Sequence, residues 1–309
     1  MRICLMIEGQ ESVTWEEWVA LAKACEQSPI EALFRSDHYL SVVGQTDRGS
    51  LDAWATIAGL AAITSTLRLG TLVSPVTFRH PSVLAKNVVT ADHIAGGGRV
   101  ELGMGAGWLE TEHNAYGFPF PPTGERFEML EEQVEIVRRQ WEEGSLEFEG
   151  EHYRMEGNAL PKPISPPNLL IGGRARPRSL RLAARWADEY NLVMMSAEEA
   201  AEAIPKVRAA WDAAGRDQPT ISLMSGCIIG SDEVDLLERA HAVAEARGEE
   251  APDPEAYLKE RPPNTLIGTV AEVRKQLTEL ERLGVERVML QYLTHRDLDG
   301  VKYIAELAG

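Results

Sequence analysis

Residues 94–108 read IAGGGRVELGMGAGW, a short strand between glycines that leads into a Gly-x-Gly-x-Gly turn and a tryptophan. Glycines at Gly103, Gly105 and Gly107 permit positive φ angles and let main-chain N–H groups approach a flat ligand, which a Cβ would prevent. A tight structural turn is the alternative explanation. Residues 109–124 (LETEHNAYGFPFPPTG) are too rich in proline and glycine for the helix that receives a pyrophosphate in a dinucleotide fold. The stretch therefore predicts a ligand site at a strand end, without a dinucleotide fingerprint.

Short β-rich runs alternate with longer amphipathic runs along the whole chain, which is typical of repeated βα units and a parallel sheet. The predicted strands are Arg2–Ile7, Glu31–Arg35, Arg68–Val73, Val100–Met104, Asn168–Ile171, Tyr190–Met194, Thr220–Ile228 and Val285–Tyr292. Eight strands favour an α/β fold of the closed (β/α)8 TIM-barrel type over an open doubly wound sheet. We expect one barrel domain over residues 1–309. Two excursions outside the barrel are expected at about residues 144–167, with a hairpin at Glu149-Gly150, and 248–264, a mobile or helical lid.

The composition excludes several classes of protein. The 309 residues carry 31 Lys and Arg against 48 Asp and Glu, a formal net charge of −17, which argues against nucleic-acid and anionic-membrane surfaces. No apolar run approaches the ~18 residues of a membrane span, and the first run stops at Glu8, too early for a signal peptide. We therefore expect a cytoplasmic protein. Cys4, Cys25 and Cys227 lie in apolar surroundings and predict buried thiols, and the seven histidines lack metal-ligand spacing, so no metal is predicted.

Polar and glycine-rich segments follow four of the predicted strands. They are Asp37-His38 after the second, residues 71–75 (TLVSP) at the third, 103–108 (GMGAGW) at the fourth and 171–177 (IGGRARP) at the fifth. The carboxyl ends of barrel strands share one face, where such barrels bind their ligands. We therefore expect all four segments to converge on one site.

The segment 171–177 has the features of a phosphate site. Two glycines end a strand and Pro177 begins a helix, so free N–H groups and the positive end of the helix dipole face the ligand side. Arg174, Arg176 and Arg178 add positive charge in an acidic protein. An ordinary βα turn with solvated arginines is the alternative.

Three histidines have different expected parts. His38, at a strand end, either caps a neighbouring backbone or exchanges a proton with a bound ring. Its adjacency to Asp37 indicates nothing, because consecutive side chains on a strand point to opposite faces. His80 precedes Pro81 at a helix start and is expected to be structural. His113 either lines the pocket or lies behind it.

Three stretches together resemble the bacterial luciferase-like family: residues 36–40 (SDHYL), 67–132 and 169–191. The last two are most similar to its coenzyme F420-dependent oxidoreductases. The resemblance extends over most of residues 1–195 and is weaker beyond, where only 266–290 are similar to the last βα unit. It implies a (β/α)8 barrel, often dimeric, that holds a flavin or deazaflavin at the strand ends.

The resemblance also implies functional positions. They are an acid–base and ring-contact pair at Asp37 and His38, a non-proline cis peptide at Leu72 and Val73, a fourth-strand turn at Gly105, Ala106 and Gly107, and a phosphate loop at Gly172, Gly173 and Arg174. The phosphate loop departs from the common barrel site after strands seven and eight. A second departure is residues 25–37 (CEQSPIEALFRSD), which replace the usual glycine-led approach to the second strand.

Three functional hypotheses remain open. The first is an F420-dependent oxidoreductase that transfers a hydride between the deazaflavin and a small organic substrate, with His38 handling the proton and Asp37 orienting the ring. The second is an FMN-dependent monooxygenase on the same barrel. The third is a non-catalytic flavin- or deazaflavin-binding protein, which would not need His38. We expect a homodimer, with a substrate pocket formed by the loops after strands six to eight and the two excursions.

Overall fold

A computed structural model describes residues 1–45, 47–249 and 253–308. In chain order the elements are β1 (Arg2–Ile7), α1 (Trp15–Glu26), β2 (Ala32–Arg35), α2 (Ala53–Ile63), β3 (Arg68–Pro75), α3 (Pro81–Ala95), β4 (Val100–Gly105), α4 (Glu110–Tyr116), α5 (Thr123–Trp141), β5 (Leu146–Glu149), β6 (Arg154–Gly157), β7 (Asn168–Gly173), α6 (Pro177–Trp186), β8 (Glu189–Val193), α7 (Ala197–Ala214), β9 (Thr220–Gly230), α8 (Glu233–Arg247), α9 (Pro254–Lys259), β10 (Thr265–Thr269), α10 (Val270–Leu283), β11 (Arg287–Gln291) and α11 (Leu298–Glu306).

Eight parallel strands close into a barrel in the order β1-β2-β3-β4-β7-β8-β9-β11, and β11 pairs with β1 to complete the ring. All eight predicted strands are present, with ends that shift by two residues at most. The predicted (β/α)8 barrel is therefore confirmed.

The first excursion contains the predicted hairpin. Strands β5 and β6 pair only with each other, as a separate antiparallel sheet around Glu149-Gly150. The second excursion falls partly on residues 250–252, which lie outside the described residues. In its described part the helix α9 is present.

Strand β10 follows this excursion and was not predicted. It pairs in parallel with the outer part of β9, Gly226–Gly230, while the inner part of β9 pairs with β8 and β11. The side chain of Gln276 on α10 donates to the carbonyl of Ile267 at 2.8 Å, so a side-chain amide partly satisfies the other edge of β10.

Helix ends follow the sequence in most places. Helix α3 begins at Pro81 after His80, whose Nδ1 accepts from the N–H of Ser82 at 3.2 Å, so His80 is structural as predicted. The prolines of the stretch after Trp108 lie beyond a helix, α4, of only seven residues. Gly117, with φ +71°, ends it.

A buried ion cluster lies inside the barrel near the amino ends of the strands, away from the candidate site. Arg287 contacts Glu101 at 2.7 and 2.8 Å, Glu189 at 3.0 Å and Glu31 at 2.7 Å. Burial opposes ionisation of Glu101, but Arg287 lowers its pKa to about 2. In Glu189, burial and the charge of Glu101 prevail, and its pKa is raised.

The cysteines agree with a further expectation. Cys4, Cys25 and Cys227 are buried free thiols. Among the described helices, none has the length and apolar character that a membrane crossing requires.

Candidate active site at the carboxyl ends of the strands

His38 lies just past the end of β2, at the barrel mouth. Its Nδ1 is 2.7 Å from Oε1 of Glu112, and its side chain keeps 15% of its surface exposed. Trp108, 61% exposed, meets the His38 ring edge-on with the centroids 5.6 Å apart. Nε2 of His38 makes no hydrogen bond with any described residue.

Glu112 is the functional residue that sequence reasoning missed. It lies on α4 and is only 1% exposed, and its second oxygen accepts from the backbone N–H of Tyr39 at 2.9 Å. The carboxylate therefore fixes both the ring of His38 and the backbone that follows it. The pair spans 74 positions of the sequence, so no local pattern indicates it.

The pair changes the acidity of His38. Burial alone would lower its pKa, but the hydrogen bond to Glu112 and the charges of Glu112, Glu8 and Asp37 together raise the pKa above the ordinary value. Because the carboxylate holds a proton on Nδ1, the proton that the charged ring can release is on Nε2. The arrangement suits a proton donor at the mouth.

Asp37 occupies a different environment from His38. It is 1% exposed, and its Oδ2 accepts from Ser74 Oγ at 2.7 Å and from Arg79 Nη1 at 2.6 Å. The other arm of Arg79 binds Asp52 at 2.6 Å, which ties the end of β2 to the start of α2. This burial favours a supporting part for Asp37 over the direct ring contact expected from the sequence.

The β4 turn owes its first two glycines to packing. A Cβ on Gly103 would collide with the carbonyl oxygen of Thr71, and one on Gly105 would lie 2.7 Å from a methyl of Val73. Only Gly107, with φ +77°, has the positive φ expected for all three. The expectation of a positive φ at Gly103 and Gly105 is therefore wrong, and close packing against β3 accounts for both glycines.

Two further expectations concern the same strands. The Leu72–Val73 peptide is cis, as predicted. Ala106 packs against the main apolar core. The contacts of Gly105, Ala106 and Gly107 with a cofactor stay a prediction.

The loop after β7 carries the predicted arginines, but two of them are paired with carboxylates. Arg174 pairs with Glu199 and donates to the carbonyl of Met194 at 2.9 Å, and Arg178 pairs with Glu131 at 2.8 Å. The N-cap residue of α6, Arg176, makes no side-chain hydrogen bond to the first turn of that helix, which begins at Pro177. Exposed Arg176 makes no ion pair with the described part of the chain. The phosphate loop at Gly172, Gly173 and Arg174 stays a prediction, with Arg176 as its available cation.

His113 does not line the mouth. It is fully buried; its Nδ1 is 2.7 Å from the carbonyl oxygen of Leu109 and its Nε2 is 2.6 Å from Thr77 Oγ1. The carbonyl only accepts, so Nδ1 carries the proton and Nε2 accepts from the hydroxyl. Both ring nitrogens are thus committed, and His113 is a packed structural residue beside Phe78 and Phe120.

One group of metal-ligating side chains lies outside the barrel. Within the described ranges, Glu128 on α5 approaches Glu151 and His152 of the hairpin turn, with ligand atoms within 4.8 Å of one another. The sequence did not indicate this group, because it is assembled from two elements. The predicted absence of a metal stays a prediction.

A closed (β/α)8 barrel with an acid–base pair at the carboxyl ends of its strands defines the class of barrel enzymes that work on a ligand held at the mouth. The model of the luciferase-like monooxygenase family matches residues 3–287. The chain therefore belongs to the luciferase-like monooxygenase family. The resemblance noted from the sequence is confirmed.

Individual relatives show the range of the family. An uncharacterized protein of Mycobacterium tuberculosis is 32% identical over 170 residues, 54% of this chain and 58% of that protein. The F420-dependent glucose-6-phosphate dehydrogenase of Kineococcus radiotolerans is 29% identical over 204 residues, 65% of this chain and 59% of the dehydrogenase. This chain thus spans a little over half the length of these two relatives.

Solved structures agree on the fold. Monooxygenase RslO1 from Streptomyces bottropensis has a TM-score of 0.80 at 23% identity, covering 99% of this chain and 98% of that one. Other matching proteins include pyrimidine monooxygenases and a Baeyer–Villiger monooxygenase in complex with FMN. The family therefore contains both F420-dependent and FMN-binding members.

Proposed function

We propose that the protein is an F420-dependent oxidoreductase that transfers a hydride between the deazaflavin and a small organic substrate. The observation that carries the proposal is the His38–Glu112 pair at the mouth, 2.7 Å apart, with Nε2 of His38 left without a protein partner in the described chain. Similarity to an F420-dependent dehydrogenase over 65% of the chain supports the choice of cofactor.

His38 is the proton-handling group in this proposal. Its raised pKa keeps the ring protonated to higher pH than an ordinary histidine, so the proton on Nε2 stays available to higher pH as well. Glu112 orients the ring and stabilises its charged form. Asp37, Arg79 and Ser74 hold the end of β2 in place behind it.

The shape of the loops supports the proposed cofactor positions. The uncapped first turn of α6 and exposed Arg176 fit the anionic tail of F420 or FMN, since both features attract a phosphate. The β4 turn, ending at Gly107, is the proposed contact for the ring system. When bound, the deazaflavin supplies the hydride, and the protein supplies orientation, exclusion of water and the proton.

The runner-up is an FMN-dependent monooxygenase on the same barrel. The description of the matching family and the FMN-bound relative favour it. A non-catalytic cofactor-binding protein would need the loops but not the His38–Glu112 pair, so the presence of that pair argues for catalysis.

Titration of the purified protein with F420 and with FMN, followed by absorbance and fluorescence, tests the proposal. We expect tighter binding of F420. Arg176→Glu should weaken binding at least roughly tenfold, about 1.4 kcal/mol, because it reverses charge at the proposed tail site. Arg181→Glu makes the same change farther along α6 and should leave affinity nearly unchanged. Tight FMN binding without measurable F420 affinity would establish the runner-up instead.

A further inference from the structure

A cavity of about 150 Å³ lies beside the mouth, where β9 leaves the barrel to pair with β10. Its walls include Cys227 and Ile228 of β9, Val243 of α8, and Leu293 just past β11. Burial raises the pKa of the Cys227 thiol to about 12, so this wall is uncharged at neutral pH. Apolar groups therefore form part of the walls, together with the uncharged polar side chains of Asn264, Thr265 and Gln291.

The side chain of Gln291 lies between the cavity and the residues around His38. Gln291, the last residue of β11, lines the cavity and donates its Nε2 to Oε1 of Glu8 at 2.5 Å. Glu8 is one of the groups whose charge raises the pKa of His38. Gln291 and Glu8 thus connect the cavity wall to the surroundings of His38.

The two arginines at the cavity are already paired. Glu249 accepts from Arg247 at 2.9 Å and from Arg261 at 3.1 Å, and the guanidinium of Arg261 lies over the ring of Tyr257 at 3.9 Å. A ligand anion would have to compete with a carboxylate that both guanidinium groups already bind. The contacts therefore favour an uncharged occupant.

We infer that this cavity binds the apolar part of the substrate, an uncharged group of up to about six non-hydrogen atoms. The size follows from an engineered cavity of about 150 Å³ in another protein, which is lined by aliphatic and aromatic side chains and binds benzene. The statement that the occupant is part of the substrate rests on the proposed function. The binding of an apolar probe to the cavity does not depend on that function.

Benzene, titrated calorimetrically into the cofactor-free protein, is the probe. We expect saturable binding, and Cys227→Leu should weaken it at least roughly tenfold because the longer side chain fills the cavity. Leu293→Phe fills the same space from the opposite wall and serves if Cys227→Leu does not fold. The matched control is Ala197→Leu, which enlarges a side chain in a neighbouring cavity of about 250 Å³ and should leave benzene binding unchanged.

Three results would overturn the inference. They are no saturable binding to the wild type, undiminished binding in a folded filling variant, and loss of binding in Ala197→Leu alone, which would place benzene in the neighbouring cavity. Benzoate adds a test of charge. If benzoate binds as tightly as benzene or tighter, the arginines recognise an anion and the site is not apolar. Because the probe needs no cofactor, failure here is separable from failure to bind F420.

Discussion

At the scale of single residues, the site depends on a contact between two side chains that the sequence keeps apart. His38 was predicted because it follows a strand, and strand ends meet at the mouth. Glu112 was not predicted, since its importance comes from the 2.7 Å approach to His38 and not from its neighbours on α4. His113, equally conspicuous in the sequence, is buried with both ring nitrogens bonded. The positions of residues after predicted strands therefore located the candidate site. Which side chains belong to that site became clear only from the folded structure.

The acid–base pair makes a prediction about pH. The pKa of His38 is raised, so a step that needs protonated His38 persists as pH rises and is lost only when pH passes the raised pKa. Glu112→Gln removes the charge and should move the basic limb of the rate profile to lower pH. His38→Ala should slow the hydride step by roughly 10²-fold while cofactor affinity stays within a few fold.

Stopped-flow absorbance of the deazaflavin band, measured across pH with any accepted substrate, reports this step. Glu110→Gln, an exposed neutralisation on the same helix, is the control and should keep the wild-type profile. A basic limb that Glu112→Gln leaves in place would show that His38 does not provide the proton.

At the scale of elements, the β3–β4 pair explains why a glycine motif was assigned to a ligand. Glycine-rich turns near a ligand and glycines under a neighbouring strand look identical in sequence. The structure separates them, because Gly103 and Gly105 face Thr71 and Val73 while Gly107 alone has a positive φ. Strand β10 was not predicted because it is only five residues long and contains Gly268. It also pairs with β9 outside the barrel ring, so the strand count of a barrel did not require it.

Gly103→Ala should lower the free energy of unfolding by about 1–3 kcal/mol, because its Cβ meets backbone that has no room to move. Gly124→Ala is the matched control. It lies in the first turn of α5 with nothing near the added Cβ, and it should be neutral or stabilising by up to about 1 kcal/mol. Urea unfolding of both variants checks the difference, and equal stabilities would refute the close packing of β4 on β3.

At the scale of the whole molecule, the two ends of the barrel carry different polar groups. The carboxyl ends carry the candidate site, and the opposite end carries the ion cluster around Arg287. Hydrophobic periodicity and strand count were sufficient to predict the barrel. They gave no sign of the cluster, because Glu101, Glu189 and Arg287 lie on three strands that do not pair with one another, and their side chains meet only inside the closed barrel.

Arg287→Met should destabilise the protein by about 3–5 kcal/mol at neutral pH, because buried carboxylates lose their cation. The low pKa of Glu101 means that its stabilising contribution is present above its unfolded pKa and is lost as pH falls toward about 2. The raised pKa of Glu189 acts in the opposite direction. The deficit of the variant should therefore shrink as pH falls from 7 to 3.

Chemical denaturation at several pH values checks this dependence. Arg282→Met removes an exposed arginine from α10 and should change stability little at any pH. A deficit that stays constant with pH would mean that Arg287 stabilises by packing alone.

The division of β9 has a consequence for how such a chain diverges. Its inner residues are held by β8 and β11 on either side, so substitutions there threaten closure of the ring. Its outer residues pair with β10 and border the cavity beside the mouth. Insertions and exchanges in β10 and α9 can therefore accumulate at less cost to closure of the ring, and this segment is where paralogues of one barrel can acquire different ligand preferences.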